Sequence, residues 1–258
     1  MTNYADESAA RRASEGMSVR VVSSPTDPMP NARRWVAERY GDDRHCRLIT
    51  YGGTFFEWDG ACWLEVEPEA VNAELYRYFE HAVYGTDQPS RFKPNNTKIA
   101  NLVGAVRAVT HISRDHVVPS WLDGRTKPPA TDIVPVANGI LHVPSRKIYA
   151  STPTLLVMHA TPFAYDPSAP MPEGWLTFLK EIFPDYPESI MALQEWFGYL
   201  LSGDTSQQKI LLIIGPKRSG KGTILRILKA IMGARHVAAP TLTSVSANFD
   251  PMRRSKLT

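Results

Sequence analysis

The residues best suited to chemistry gather in one run, Gly215-Pro216-Lys217-Arg218-Ser219-Gly220-Lys221-Gly222-Thr223. Residues 209–214 ahead of it are apolar and β-branched and read as a buried strand. Residues 224–232 behind it read as an amphipathic helix that stops at Gly233. Strand, glycine loop, lysine and helix in this order are the parts of a phosphate-binding P-loop. The backbone N–H groups of such a loop point into one concavity, and the helix N-terminus adds partial positive charge. Lys221 is expected to reach the β- and γ-phosphates, while Gly215 and Gly220 let the backbone approach the anion without a Cβ in the way. Ser219, with Lys217 and Arg218, lines the loop. The common pattern has Ser or Thr directly after the lysine to hold magnesium; here that place is Gly222, and the candidate metal ligand is Thr223. A glycine-rich turn that binds nothing is the alternative, and the flanking strand and helix argue against it.

No second constellation competes. The seven histidines are dispersed, no Ser/His/Asp or Cys/His arrangement stands out, and no acidic pair on a strand offers a two-metal site. Cys46 and Cys62 are the only cysteines and lack metal-ligand spacing, which suits reduced structural thiols in a cytoplasmic protein better than a zinc site.

At 258 residues the chain has room for about two domains. No apolar run is long enough to span a membrane, and the first 20 residues lack the apolar segment of a secretory signal. The net charge of +3 is unevenly spread. Residues 203–258 hold ten Lys/Arg against Asp204 and Asp250, whereas residues 1–202 carry a net −5. A basic block around the loop suits nucleotide or nucleic acid. Arg226 and Lys229 within it read as solvated helix-face cations.

The elements that must position the loop are legible in outline. Residues 1–29 read as a flexible tail. A helix is expected over 31–40, capped by Asn31 and stopped by Gly41. Three strand-like runs at 47–51, 54–58 and 61–66, separated by Gly52-Gly53 and Asp59-Gly60, predict an antiparallel meander. Its aromatics (Tyr51, Phe55, Phe56, Trp58, Trp63) could stack on bases, although packing a small core is the commoner role. Helices are expected from Glu67 to about Tyr84 and from about Asn96 to His111. Arg107, Arg114, Arg125 and Lys127 could form a nucleic-acid contact surface, or be scattered surface cations. Strands return over 133–149, and two helices at 175–183 and 186–201 lead into the loop.

The run from Asn138 to Phe249 resembles the phage/plasmid primase–helicase family, whose C-terminal half is a superfamily 3 helicase of the AAA+ kind. The resemblance is carried by Asn138-Gly139-Ile140-Leu141, Thr152-Pro153, Tyr165-Asp166-Pro167, Trp175-Leu176-Thr177-Phe178-Leu179 and Gln194-Glu195-Trp196-Phe197-Gly198-Tyr199-Leu200-Leu201. The loop with its Gly222-Thr223 ending, Pro240-Thr241-Leu242-Thr243-Ser244 and Asn248-Phe249 complete it. Residues 31–137 resemble the family's accessory N-terminal domain more loosely.

The fold expected is an α+β N-terminal domain (three-stranded meander plus helices), followed by a helical segment and the start of an α/β P-loop AAA+ domain. The divisions expected are a tail at 1–29, an accessory domain at 30–130, a β segment and helical collar at 131–203, and an incomplete ATPase domain at 204–258. The resemblance implies ATP and Mg²⁺ as cofactors, DNA as partner, and hexamers that translocate on or unwind DNA. Only 37 residues follow Lys221, and none reads as the family's acidic Walker B strand, polar sensor or arginine finger. The chain therefore reads as truncated, binding ATP without turning it over, and its standing as an enzyme stays open. A non-enzymatic DNA-binding or assembly module with a remnant loop is the second reading. A small nucleotide kinase is the third, disfavoured because those enzymes need a lid and acceptor site beyond the loop.

Overall fold

The computed structural model describes residues 20–41, 45–203 and 207–238. Residues 1–19 of the expected tail, and the family-like stretches at 240–244 and 248–249, lie outside the described residues. Residues 20–29 are not tail. Val21–Val22 form β1, and α1 (Pro28–Tyr40) begins with Pro28, whose fixed φ and missing N–H suit a first helical turn. Asn31 consequently sits inside the helix rather than capping it. Its buried amide accepts from the Ser23 N–H at 2.8 Å and donates to the Ser23 carbonyl at 3.0 Å, fixing the incoming chain.

The meander forms as its turn residues demand, with β2 (Leu48–Tyr51), β3 (Thr54–Trp58) and β4 (Trp63–Val66) antiparallel. Gly52 and Gly53 both have positive φ, +62° and +87°, the geometry a two-residue hairpin needs. The second connection is longer than two residues. Asp59 Oδ1 accepts from the N–H groups of Ala61 and Cys62, both at 2.9 Å, so the side chain organises the turn. α2 (Pro68–Phe79) ends earlier than its apolar stripe suggested, because Val83–Tyr84 leave as β5 and pair in parallel with β1, with β6 (Ser90–Arg91) on the other side.

Asn95 accepts from the Lys98 N–H and caps α3 (Asn96–Val109). The chain then adds β7 (His111–Ile112) in parallel to β2, so the sheet has four strands ordered β4-β3-β2-β7. Both faces of this sheet are covered. Leu48 and Phe55 pack with Trp35, Leu75, Phe79 and Leu102 from the three helices, and Ile49, Trp58 and Trp63 pack with Leu156 on the opposite side. Burying side chains of this size contributes roughly 1.5–3 kcal/mol each. Core packing is therefore what Phe55, Trp58 and Trp63 do.

β8 (Ser120–Trp121) pairs with β12 (Leu155–Leu156), and between them β9 (Ile133–Val136), β10 (Gly139–His142) and β11 (Lys147–Tyr149) make an antiparallel sheet. Ile133, Ile140 and Leu155 pack against Cys62, so this second sheet shares a core with the meander. A proline-rich connection leads to α4 (Glu173–Ile182) and α5 (Pro187–Ser202), and α6 (Lys221–Met232) follows the glycine loop. These three helices meet around Leu179, Leu193, Phe197 and Ile224. No helix among the described residues is long and apolar enough to cross a membrane.

Candidate functional site

The strand expected at 209–214 does not form. The segment has no regular secondary structure and pairs with no strand among the described residues. Leu211 and Ile213 lean on the helical core, while Ile210, Leu212 and Ile214 are 91%, 77% and 84% exposed. Its apolar, β-branched composition suits a strand, but a strand is held by neighbours, and here only one face finds them.

Beyond it the loop has the backbone its glycines predict. Arg218 and Gly220 take left-handed conformations, at φ +64° and +83°, and Gly220 turns the chain into α6. Helical bonding starts with the N–H groups of Thr223 and Ile224, which donate to the Gly220 carbonyl at 2.9 and 3.1 Å. Lys221 and Gly222 occupy the first turn, where N–H groups have no intrahelical acceptor and the dipole favours an anion.

Lys221 folds back on its own loop. Its ammonium donates to the carbonyl oxygens of Gly215 at 2.8 Å and Pro216 at 2.7 Å, and to Ser219 Oγ at 3.2 Å. The structure thus brings Gly215, Pro216, Ser219, Gly220 and Lys221 together. Lys217, Arg218 and Gly222 are exposed on the loop rim. Thr223 Oγ1, the candidate magnesium ligand, accepts from Arg226 Nη2 at 3.1 Å. Among the described residues no group of three or more His, Cys, Asp or Glu is placed to hold a metal ion.

Sequence reading passed over the other wall of the site. An open groove of about 550 Å³ lies between α4 and the start of α6, lined by Phe178, Glu181 and Ile182 on one side and by Arg218, Gly220, Gly222, Thr223 and Arg226 on the other. Arg226 is thus a groove residue and not merely a solvated cation. Its place three residues after Thr223, on the same helix face, was the signal available.

The cations offered as a nucleic-acid surface are partly engaged within the chain. Arg107 donates to the Gly53 carbonyl and lies 4.5 Å from the Phe55 ring centroid, and Arg114 donates to the Gly52 carbonyl at 2.9 Å. Arg125 pairs with Asp123 over the Trp121 ring, while Lys127 is exposed. Two of the arginines thus brace the β2–β3 turn.

The meander, its three helices and the second sheet are also where likeness to known proteins lies. A sequence model described as D5 N terminal like matches residues 33–184, more than half of the chain. The chain belongs to the D5 N-terminal-like family. This is the N-terminal domain of D5-like phage and plasmid primase–helicases, so the membership carries a DNA-replication context. The matched span runs from within α1 to just past α4 and ends ahead of the glycine loop. No curated protein matches the chain.

Proposed function

We propose that the chain is the ATP-binding part of a phage or plasmid DNA-replication helicase of the superfamily 3 primase–helicase type. The observation that carries this reading is the order of parts. A D5 N-terminal-like domain is followed by a glycine loop whose lysine opens α6, and the first turn of a helix carries N–H groups without intrahelical acceptors. A triphosphate placed there meets donors from the loop, the ammonium of Lys221 and the hydroxyl of Ser219, in exchange for the carbonyl contacts Lys221 makes now.

Magnesium fits this arrangement as a companion of the nucleotide rather than as an ion held by the protein alone. Thr223 Oγ1 offers one neutral oxygen, and Arg226 already donates to it. DNA and further copies of the chain are the partners such a role requires. Ahead of the loop, the D5 N-terminal-like domain supplies a rigid support, since both faces of its sheet are packed.

The test is equilibrium binding of ATP with Mg²⁺ to the full chain and to Lys221→Ala. Saturable binding by the wild type, weakened at least about tenfold by the substitution, is the expected result, since a charge-assisted contact contributes about 1.5–3 kcal/mol. Wild-type protein showing no saturable binding at millimolar ATP overturns the reading.

A further inference from the structure

The groove beside the loop has a chemical polarity of its own. On the α6 side stand two guanidinium groups, Arg218 and Arg226, together with Thr223; on the α4 side stand Phe178, Ile182 and Glu181. The space, about 550 Å³, is an open groove rather than an enclosed cavity, so a small ligand can enter it from solvent. Phe178 also terminates a run of near-parallel rings. Trp175 stacks on Phe197 at 6.0 Å and 17°, and on Phe178 at 5.5 Å and 23°. Phe178 is held firmly at this end, because its ring tip and Ile182 press on Gly220, where a Cβ would come within 2.9 and 3.1 Å of them.

We propose that this groove takes the nucleoside end of the bound nucleotide, with the base stacked on Phe178 and Glu181 accepting hydrogen bonds from the sugar hydroxyls. The inference rests on the phosphate-loop reading and extends it to the other half of the ligand. A planar, uncharged ring system matches the edge of an aromatic run, and stacking of this kind tolerates any base. A carboxylate repels polyphosphate, so Glu181 fits against neutral hydroxyls rather than beside the phosphates. Arg226, tied to Thr223, stands where groove and loop meet and favours an anionic group passing between them. Residues α4 contributes thus become recognition residues, although about 40 positions separate them from Lys221.

Affinities for ATP and for inorganic tripolyphosphate separate the two halves of the site. Both are measured by calorimetry on the full chain, as wild type, Phe178→Leu, Glu181→Gln and Lys221→Ala. The expected pattern is ATP bound at least about tenfold tighter than tripolyphosphate by the wild type, the preference one stacked base gives. Phe178→Leu weakens ATP about tenfold and Glu181→Gln about threefold, both leaving tripolyphosphate within about twofold, whereas Lys221→Ala weakens both ligands. Equal wild-type affinity for the two ligands, or equal weakening of both by Phe178→Leu in a chain with unchanged circular dichroism, overturns the nucleoside assignment and leaves the phosphate loop standing. Wild type that binds neither ligand overturns both. Should Phe178→Leu not fold, Glu181→Gln decides: selective loss of ATP supports the assignment, and no change in either affinity overturns it.

Discussion

Arg235 Nη1 lies 3.2 Å from Asp59 Oδ2, an ion pair that joins the turn after α6 to the β3–β4 connection of the N-terminal domain, 176 positions away in sequence. The two partners are unequal. Arg235 is largely exposed, whereas Asp59 also holds two backbone N–H groups of its own turn. Arg235→Ala is therefore expected to cost about 0.5 kcal/mol, in keeping with a screened surface pair. Asp59→Ala is expected to cost about 2 kcal/mol, because two backbone donors lose their acceptor. Urea unfolding of both single variants and the double variant checks this, with a coupling below about 1 kcal/mol; equal losses in the single variants count against Asp59 as the organiser of the turn.

The glycines of the loop differ sharply in what they tolerate. At Gly220 the backbone is left-handed and an added Cβ meets Phe178, so Gly220→Ala is expected to loosen the α4–α6 contact by about 1–3 kcal/mol. At Gly222 an added Cβ meets nothing within 4 Å, and alanine in a helix is favoured by up to ~1 kcal/mol. Amide exchange across α6 should speed up in the first variant and slow in the second. The same direction of change in both variants would refute the packing argument.

A pH response is written into the same junction. Burial lowers the His236 pKa below the usual 6.5; Arg235 and the neighbouring His159 add to the effect, and Asp59 opposes it. His236 Nε2 is buried without a hydrogen-bond partner, which also disfavours the charged ring. The folded chain therefore binds fewer protons than the unfolded chain in the interval beneath 6.5. This contribution to stability is present above 6.5 and lost as pH falls through that interval. Melting temperature should decline from pH 7.5 to 5.5, and the decline should shrink in His236→Gln. An identical slope in the variant removes His236 from the account.

Asn31 offers a test of how the first helix is anchored. Alanine at this position has the better helix propensity, by about 0.6 kcal/mol. Its substitution nevertheless leaves the Ser23 backbone without partners beside a buried site, so Asn31→Ala is expected to destabilise the N-terminal domain by about 2 kcal/mol. Chemical denaturation followed by tryptophan fluorescence reads this directly, since Trp35 lies in the same core. A stabilised variant would mean that propensity outweighs the two hydrogen bonds.

Much of the N-terminal domain was legible because its signals are local. Gly52-Gly53 between alternating apolar runs specifies a hairpin, and Pro68 after Glu67 marks a helix start. What escaped is held by distant partners. β1 is two residues long, too short for any periodicity, and exists because β5 lies beside it. The segment at 209–214 has strand composition and no strand beside it among the described residues, so composition misled. The resemblance to primase–helicases rests most on 138–249; the family match covers 33–184, sharing 138–184 with that stretch and extending over 33–137, where the likeness reads as looser. The glycine loop is legible in nine consecutive residues, whereas Phe178 and Glu181 come beside it only through the packing of α4 on Gly220.

The two thiols make the chain its own reporter of opening. Cys62 is buried beside Asp59, and burial together with that carboxylate pushes its pKa to about 12, so it stays protonated and sheltered. Cys46 is exposed. A thiol-specific reagent should therefore label one cysteine at once and the second only as fast as the shared core of the meander and the second sheet comes apart. The slow phase is a clock for that core, readable by mass without any engineered probe.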